Sequence, residues 1–410
     1  MTSTVDVRID NLTYGGDGLG RLVDGRVVFV PYAIPGELVR LKLVEDKPRY
    51  ARAELVEVLE ASADRVIPRC QHFTTCGGCH YQQMNYPIQL KAKATILREQ
   101  LERIGGLKDI PGVEVGVASD SWYYRNHIQF HLTQDGKLGF QRAHSNQPFA
   151  IQECHLPEVA INQLWPRIEI EPMPGVERVS LRLGADEDMM LILECSNPQP
   201  LDFSIEDLAI SVVQLGPSDS VVLAGSDHIV MEVSGRRFKV SPRSFFQVNT
   251  NQAQTMLKHL TAHLFLSENL TVLDVYSGVG LYSAFLAPKV KRLVGIEFSP
   301  DACEDFSINL DEFENVELYE ASAEQVLGSI DFKPDIIIMD PPRAGLGRLT
   351  IEGILTQGAE RLAYVSCDPA TLARDAKQIA SGGYSLKDLT LIDMFPQTYH
   401  IESISYWEKL

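Results

Sequence analysis

Four short apolar, β-rich runs constrain what the C-terminal half of this chain can fold into: Thr271 to Val275, Arg292 to Ile296, Asp335 to Met339 and Leu362 to Ser366. Each ends in polar or glycine-rich residues, and helical segments lie between several of them. From about residue 236 onward this pattern predicts an α/β domain built on a doubly wound, Rossmann-like parallel sheet, with ligand chemistry at the carboxyl ends of the strands. The last forty residues change character. Ser385 to Met394 and Ile401 to Glu408 read as an antiparallel pair.

A chain of 410 residues is too long for one ordinary domain, and its 45% hydrophobic and 22% charged content allows large cores. Residues 1–59 read as a small β module. Val5 to Ile9 alternates, Gly15 to Gly20 supplies turns, and Asp24-Gly25 joins Arg21-Leu22-Val23 to Arg26–Val30 as a hairpin. With Glu37 to Val44 and Ala51 to Val58 this makes five strands, enough for an OB-like barrel that holds single-stranded nucleic acid. Residues 60–235 read as a central domain. It opens on a cysteine cluster, continues into a helix over 84–105 with apolar face Leu90, Ala94, Ile96, Leu97 and Leu101, and is β-rich from about Gly112 to Val233. Residues 236–410 form the third domain.

The net charge of −18 does not attract nucleic acid as a field, so an RNA partner requires local positive charge. Lys42, Lys47, Arg49 and Arg52 are candidates on the first module. Met1 to Asp10 lacks the pattern of a signal peptide and no stretch approaches a membrane span, so a cytoplasmic protein with no membrane partner is expected. In that compartment the clustered cysteines point to metal or catalysis before disulfides.

Asp274-Val275-Tyr276-Ser277-Gly278-Val279-Gly280 follows the first strand and opens a helix, where glycine lets backbone approach a bound nucleoside. Glu297 ends the next strand, placed to accept hydrogen bonds from ribose hydroxyls. The loop lacks the full G-x-G-x-x-G, which favours a nucleoside such as S-adenosylmethionine over a dinucleotide. Asp340-Pro341-Pro342-Arg343 ends the third strand in a rigid turn that holds Asp340 at the mouth of the sheet. Cys367 ends the fourth, just before a helix, a position that favours thiolate and a nucleophilic role. Glu402 is the candidate base. His400, two residues earlier and on the same face of a strand, is its rival.

Cys70, Cys76 and Cys79 have the spacing C-x5-C-x2-C, and Cys154 lies far downstream. Four thiolates suit a [4Fe-4S] cluster or a zinc site, and spacing leaves both open. The C-x3-C-x2-C of radical S-adenosylmethionine enzymes is not seen. Cys195 and Cys303 read as packing residues.

Taken together, Ser244 to Asn249, Asp340 to Gly345, Ser366 to Asp375 and His400-Ile401-Glu402 resemble the RNA 5-methyluridine (uracil-C5) methyltransferase family. The likeness is greatest to the ribosomal RNA branch that carries a TRAM domain and an iron–sulfur cluster, and it runs over nearly the whole chain. It implies a TRAM barrel at 1–59, S-adenosylmethionine bound by Gln247, Tyr276, Gly278, Glu297 and Asp340, and the target base met by Phe245. It implies Cys367 as nucleophile, Glu402 as proton acceptor, and a [4Fe-4S] cluster on Cys70, Cys76, Cys79 and Cys154. The implied substrate is RNA, with 23S ribosomal RNA favoured and transfer RNA the alternative, and the protein is expected to be a monomer. One residue departs from the family: asparagine usually follows the nucleophile, and here Asp368 does. A carboxylate beside a thiolate is expected to raise its pKa. Less favoured readings are a cytosine-C5 RNA methyltransferase, which uses the same thiolate addition, and a non-catalytic RNA-binding iron–sulfur protein.

Overall fold

Seven strands build the C-terminal sheet of the computed structural model: β1 (Thr271–Val275), β2 (Arg292–Glu297), β3 (Val316–Glu320), β4 (Ile336–Met339), β5 (Arg361–Ser366), β6 (Tyr384–Ile392) and β7 (Glu402–Lys409). Their spatial order is β3-β2-β1-β4-β5-β7-β6, and the short strand Val113–Val115 of the central region adds an eighth at the edge beside β6. β1 to β5 run parallel, whereas β7 inserts antiparallel between β5 and β6. Helices cover both faces, so the strands are apolar on both sides. Ile336 and Ile338 enter one core and Ile337 and Met339 the other, all four fully buried. Each such side chain contributes roughly 1.5–3 kcal/mol. Strand order reverses between β1 and β4, the switch point at which doubly wound sheets bind ligands.

The structure describes residues 4–168, 175–196, 201 and 209–410. The N-terminal strands close a five-stranded barrel, Thr4–Leu12, Gly18–Arg21, Val27–Val30, Leu38–Asp46 and Tyr50–Glu60. One local expectation changes. Gly18 to Gly20 is strand, because a Cβ on Gly18 would lie 2.8 Å from the Ala33 carbonyl and one on Gly20 2.6 Å from that of Arg8. These glycines are packing requirements, with the turn confined to the residues before them. Three of the four barrel cations are ion-paired at the surface: Lys42 with Glu54, Lys47 with Glu45, and Arg52 with Asp17 and Glu45.

The central region holds a seven-stranded sheet and a two-stranded one, Ile229–Val233 with Arg236–Val240. Part of the stretch read as β-rich, namely 169–174, 197–200 and 202–208, lies outside the described residues. The expected helix spans Tyr86–Arg103. Asn85 caps it, accepting from Ile88 N, and it packs against the C-terminal domain through Ile96, Leu97 and Leu101. Among the described residues no helix is long and apolar enough to cross a membrane.

Candidate active site

At the end of β1 the chain bends over the end of β2. Tyr276 N and Ser277 N both donate to the Ile296 carbonyl (2.9 and 3.0 Å), with Tyr276 at φ 67° and Gly278 at φ 53°. A Cβ on Gly278 would meet nothing within 4 Å, so the loop presents an open face. Glu297 secures the loop: Gly278 N donates to its Oε2 at 2.9 Å, and Phe298 N and Ser299 N to its Oε1 at 2.8 Å. Behind the loop lies fully buried Asp274. Ser283 donates to one of its oxygens (2.6 Å), while the other is buried with no partner. Burial, helped by Glu297, pushes the Asp274 carboxyl up to about 6. At the end of β4, Asp340 accepts from the Tyr282 hydroxyl at 3.2 Å, and burial followed by the Asp274 charge pushes it up to about 7. Two carboxylates beside an open glycine loop, Asp274 buried with one unpartnered oxygen and Asp340 half-buried at its strand end, fit a cationic nucleoside. S-adenosylmethionine, with its sulfonium and ammonium groups, is such a ligand.

β5 carries Cys367 to the same rim. In the antiparallel ladder between β5 and β7, Ser366 pairs with Ser403. The next residues beyond this last pair are Cys367 and Glu402, 35 apart in sequence and near enough that the Glu402 charge reaches the thiol. Antiparallel neighbours sit about 4.5–5.5 Å apart at Cα. Glu402 is 4% exposed, and burial and then the Asp340 charge push it well above the usual carboxylate range. The Cys367 thiol is pushed up to about 12 by burial, then by Glu402 and Asp340, with Arg343 opposing. Cys367, Glu402 and Asp340 therefore lie within electrostatic reach of one another at the rim of the sheet. The strand-end position does not leave a resting thiolate, because desolvation and two carboxylates outweigh the helix terminus.

Asp368 has a separate task. Its Oδ1 caps the helix Pro369–Ser381, accepting from Ala370 N (3.0 Å) and Thr371 N (2.8 Å), and the Tyr14 hydroxyl of the barrel donates to its Oδ2. The carboxylates that raise Cys367 are Glu402 and Asp340. Asp368 instead ties the barrel to the catalytic rim. His400 does not share a strand face with Glu402, since β7 begins at Glu402. Its ring lies 4.5 Å from that of Tyr399, and burial, followed by the Arg343 charge, lowers it to about 3.

Phe245 and Gln247 lie on the segment entering the helix Thr250–His263. Arg182 pins this segment through the carbonyls of Ser241 and Ser244, both at 3.1 Å. Gln247 is buried, whereas Phe245 is 68% exposed at a cleft of about 520 Å³ shared with His127 and Arg243. The structure thus gives Phe245 a free aromatic face in a cleft that Cys367 does not line.

The four cysteines Cys70, Cys76, Cys79 and Cys154 line one cavity of about 180 Å³, all as free thiols. Two hydrogen bonds join their segments, Gln71 N to Glu153 Oε1 (2.7 Å) and Gln152 N to His72 Nε2 (3.0 Å). Burial raises every one of the four, Cys154 up to about 12. Among the described residues, no three of these sulfurs lie within 4.8 Å of one another. Four sulfurs about 2.3 Å from a single zinc ion would lie closer than that. Buried thiols spread around a common cavity fit a multi-iron cluster better than one ion.

The cysteine loop also reaches the reaction rim. Directly after Cys79, His80 N and Tyr81 N donate to the Gln397 carbonyl (2.9 and 3.1 Å), in the loop that leads into Glu402. Fully buried Gln89 clamps Gln397 in both directions at 3.1 Å, holding it at φ 66°. Fully buried Lys93 donates to Asp393 (2.6 Å) and the Phe395 carbonyl (2.9 Å). Sequence patterning gave no signal for these contacts, because a lysine and a glutamine on an amphipathic helix read as surface. Lys93→Met should cost about 3–5 kcal/mol by stranding a buried carboxylate, with Lys93→Met/Asp393→Leu recovering most of it. Urea-unfolding midpoints of wild type, single and double variants test this. A single variant as stable as wild type would mean that the pair is not desolvated. Arg343 was also missed, although its place three residues after Asp340 in the double-proline turn was the available signal.

Residues 201–410 match the family model described as tRNA (Uracil-5-)-methyltransferase, and residues 2–56 match the TRAM domain. An uncharacterized RNA methyltransferase of Streptomyces avermitilis is 32% identical, covering 100% of this chain and 99% of the relative. Another, of Aquifex aeolicus, is 34% identical, covering 98% and 97%. The solved structure of Pyrococcus abyssi tRNA (uracil-54, C5)-methyltransferase, in complex with S-adenosyl-L-homocysteine, shares the fold with TM-score 0.75 at 24% identity, over 98% of this chain and 100% of that one. With its N-terminal TRAM barrel, its Rossmann-like sheet and a pocket fitted to a cationic nucleoside, the chain belongs to the tRNA (uracil-5-)-methyltransferase family and is an S-adenosylmethionine-dependent RNA methyltransferase.

Proposed function

We propose that this enzyme methylates carbon 5 of a uridine in 23S ribosomal RNA through a covalent adduct between Cys367 and carbon 6 of the base. The observation that carries the reading is the ladder of β5 and β7, which ends at Ser366 and Ser403 and brings the next residues, Cys367 and Glu402, within electrostatic reach of each other and of Asp340. Gln247, Tyr276, Gly278, Glu297 and Asp340 bind S-adenosylmethionine, with the exposed ring of Phe298 next to Glu297 offering a face to adenine. The cofactor supplies an electrophilic methyl group on a sulfonium.

Carbon 5 of uracil is a poor nucleophile. The Cys367 thiolate adds to carbon 6, and the ring electrons move to an enolate with carbanion character at carbon 5. Carbon 5 then takes the methyl group. Glu402 removes the remaining proton from carbon 5, the carbon–sulfur bond breaks, and the double bond and thiolate are restored. Arg343, whose charge opposes the rise of both Cys367 and Glu402, helps both lose their protons. Phe245 stacks on an unpaired base. Cys70, Cys76, Cys79 and Cys154 hold a [4Fe-4S] cluster, which braces the loop around Gln397. Acting on RNA, the enzyme works in the cytoplasm.

Ribosomal RNA is preferred because the TRAM barrel and the four-cysteine cavity occur together, as in that branch of the family. The second reading is a transfer RNA uridine, the substrate class named for the Pyrococcus abyssi enzyme. Mapping 5-methyluridine in total RNA from cells with and without the gene separates them. Loss of a site in 23S RNA supports the first, loss in transfer RNA the second, and an unchanged map removes both.

A further inference from the structure

We propose that His259, His263 and Asp388 form a binding site for a divalent transition-metal ion of the zinc class, remote from both the four-cysteine cavity and the methyl-transfer pocket. The helix Thr250–His263 places the two histidines one turn apart on one face, and Asp388 of β6 lies across from them. One potential ligand atom from each residue lies within 4.8 Å of the other two, the spread a single ion requires.

Second, independent observations point to a ligand. His259 Nε2 is buried, and its one neighbour is Asp388 Oδ1 at 3.4 Å, a long contact that leaves the nitrogen without a well-formed hydrogen bond. Tyr406, whose ring centroid lies 5.0 Å from that of His263 and 5.5 Å from that of His259, carries another buried, unpartnered oxygen. Buried polar atoms are rarely left unpaired, and two together beside a carboxylate mark a place where something binds. The surrounding contacts are those of a prepared site. His263 Nδ1 donates to the His259 carbonyl at 2.9 Å, which leaves Nε2 as the free lone pair. Thr390 Oγ1 donates to Asp388 Oδ1 at 3.0 Å and orients the carboxylate.

Two imidazoles and a carboxylate suit Zn²⁺ or its cobalt and nickel analogues, with water completing the shell. The His259 and Asp388 side chains are 14% and 21% exposed, so an ion can enter. No residue here belongs to the reaction pocket. The ion would staple the helix that follows Asn249 to β6, the strand that carries the edge strand Val113–Val115.

The test uses the purified holoenzyme, freed of loosely held ions and titrated with Co²⁺. One equivalent should bind with visible d–d bands and without the thiolate-to-cobalt charge-transfer band that the cysteine cavity would give. Zn²⁺ should displace it and raise the melting temperature. His263→Gln and Asp388→Asn should each weaken Co²⁺ binding by about a hundredfold or more and abolish the zinc-dependent melting shift. Because each variant is compared with itself, with and without Zn²⁺, a general loss of stability does not mimic the result. Absence of uptake, uptake with thiolate bands only, or unchanged affinity in both variants would overturn the proposal.

Discussion

RNA carrying 5-fluorouridine at the target position is expected to become covalently attached to the wild-type protein in the presence of S-adenosylmethionine, and not to Cys367→Ala. Fluorine cannot leave carbon 5 as a proton does, so the reaction halts after methyl transfer with the carbon–sulfur bond intact. Methyl transfer to ordinary RNA should fall on the order of 10⁴-fold or more in the same variant, the scale of loss on deleting a covalent nucleophile. The thiol's surroundings add a pH signature. With its pKa pushed up to about 12, the resting sulfur is protonated at neutral pH. The thiolate fraction should then rise about tenfold for each pH unit from neutral into the alkaline range, and alkylation of Cys367 by iodoacetamide should rise with it. A cation beside Asp340 and Glu402 neutralises the charges that hold the thiol up, so sinefungin, a cationic cofactor analogue, should speed alkylation of the half-buried Cys367. Mass mapping of the alkylated peptide separates Cys367 from the other cysteines. An adduct that survives Cys367→Ala would remove this residue from the nucleophile's role.

The strands that carry the pocket were legible because apolar runs ending in glycine or proline turns encode a buried parallel strand locally. Asp274 to Gly280, Glu297, Asp340 and Cys367 fall at strand ends in sequence and in space. The meeting of Cys367 and Glu402 was not legible. It depends on β7 inserting antiparallel between β5 and β6, a long-range register that no local pattern specifies. The same limit hid Gln89 and Lys93, whose polar side chains are buried because the segment from Asp393 to Gln397 comes to them. Tyr14 carried no signal in the sequence, yet its hydroxyl donates to Asp368 across domains. That contact gives a physical account of the aspartate after the nucleophile, where the sequence suggested only electrostatic cost. His259 and His263 were passed over because spacing on an amphipathic helix cannot distinguish solvated histidines from ligands until Asp388 is known to face them.

Glu402→Gln should let the enzyme begin the reaction and fail to finish it. Glutamine keeps the size and a hydrogen-bonding end but cannot take the proton from carbon 5. The methylated base should therefore stay joined to Cys367, and a labelled methyl group from S-adenosylmethionine should migrate with the protein on a denaturing gel. Turnover should fall about 10²–10⁴-fold, the usual contribution of a positioned base. The environment suits the role. Burial and the Asp340 charge raise the carboxyl well above its ordinary range, which makes it a stronger proton acceptor than an exposed carboxylate. Since Cys367 must shed a proton before it acts, and burial and the Glu402 charge hold that proton on, wild-type turnover should rise with pH across the neutral range. Normal turnover in Glu402→Gln would move the base elsewhere, and His400 is the nearest alternative in sequence. The two residues differ in basicity and are separated by their variants. His400 is lowered to about 3 and stays a weak proton acceptor through neutral pH. Ionisation of the Cys367 thiol makes the rate climb with pH whichever residue is the base, so the variants and not the slope decide between them: an acceptor as weak as His400 is poorly matched to a carbon-bound proton, and His400→Asn should release the methylated base normally.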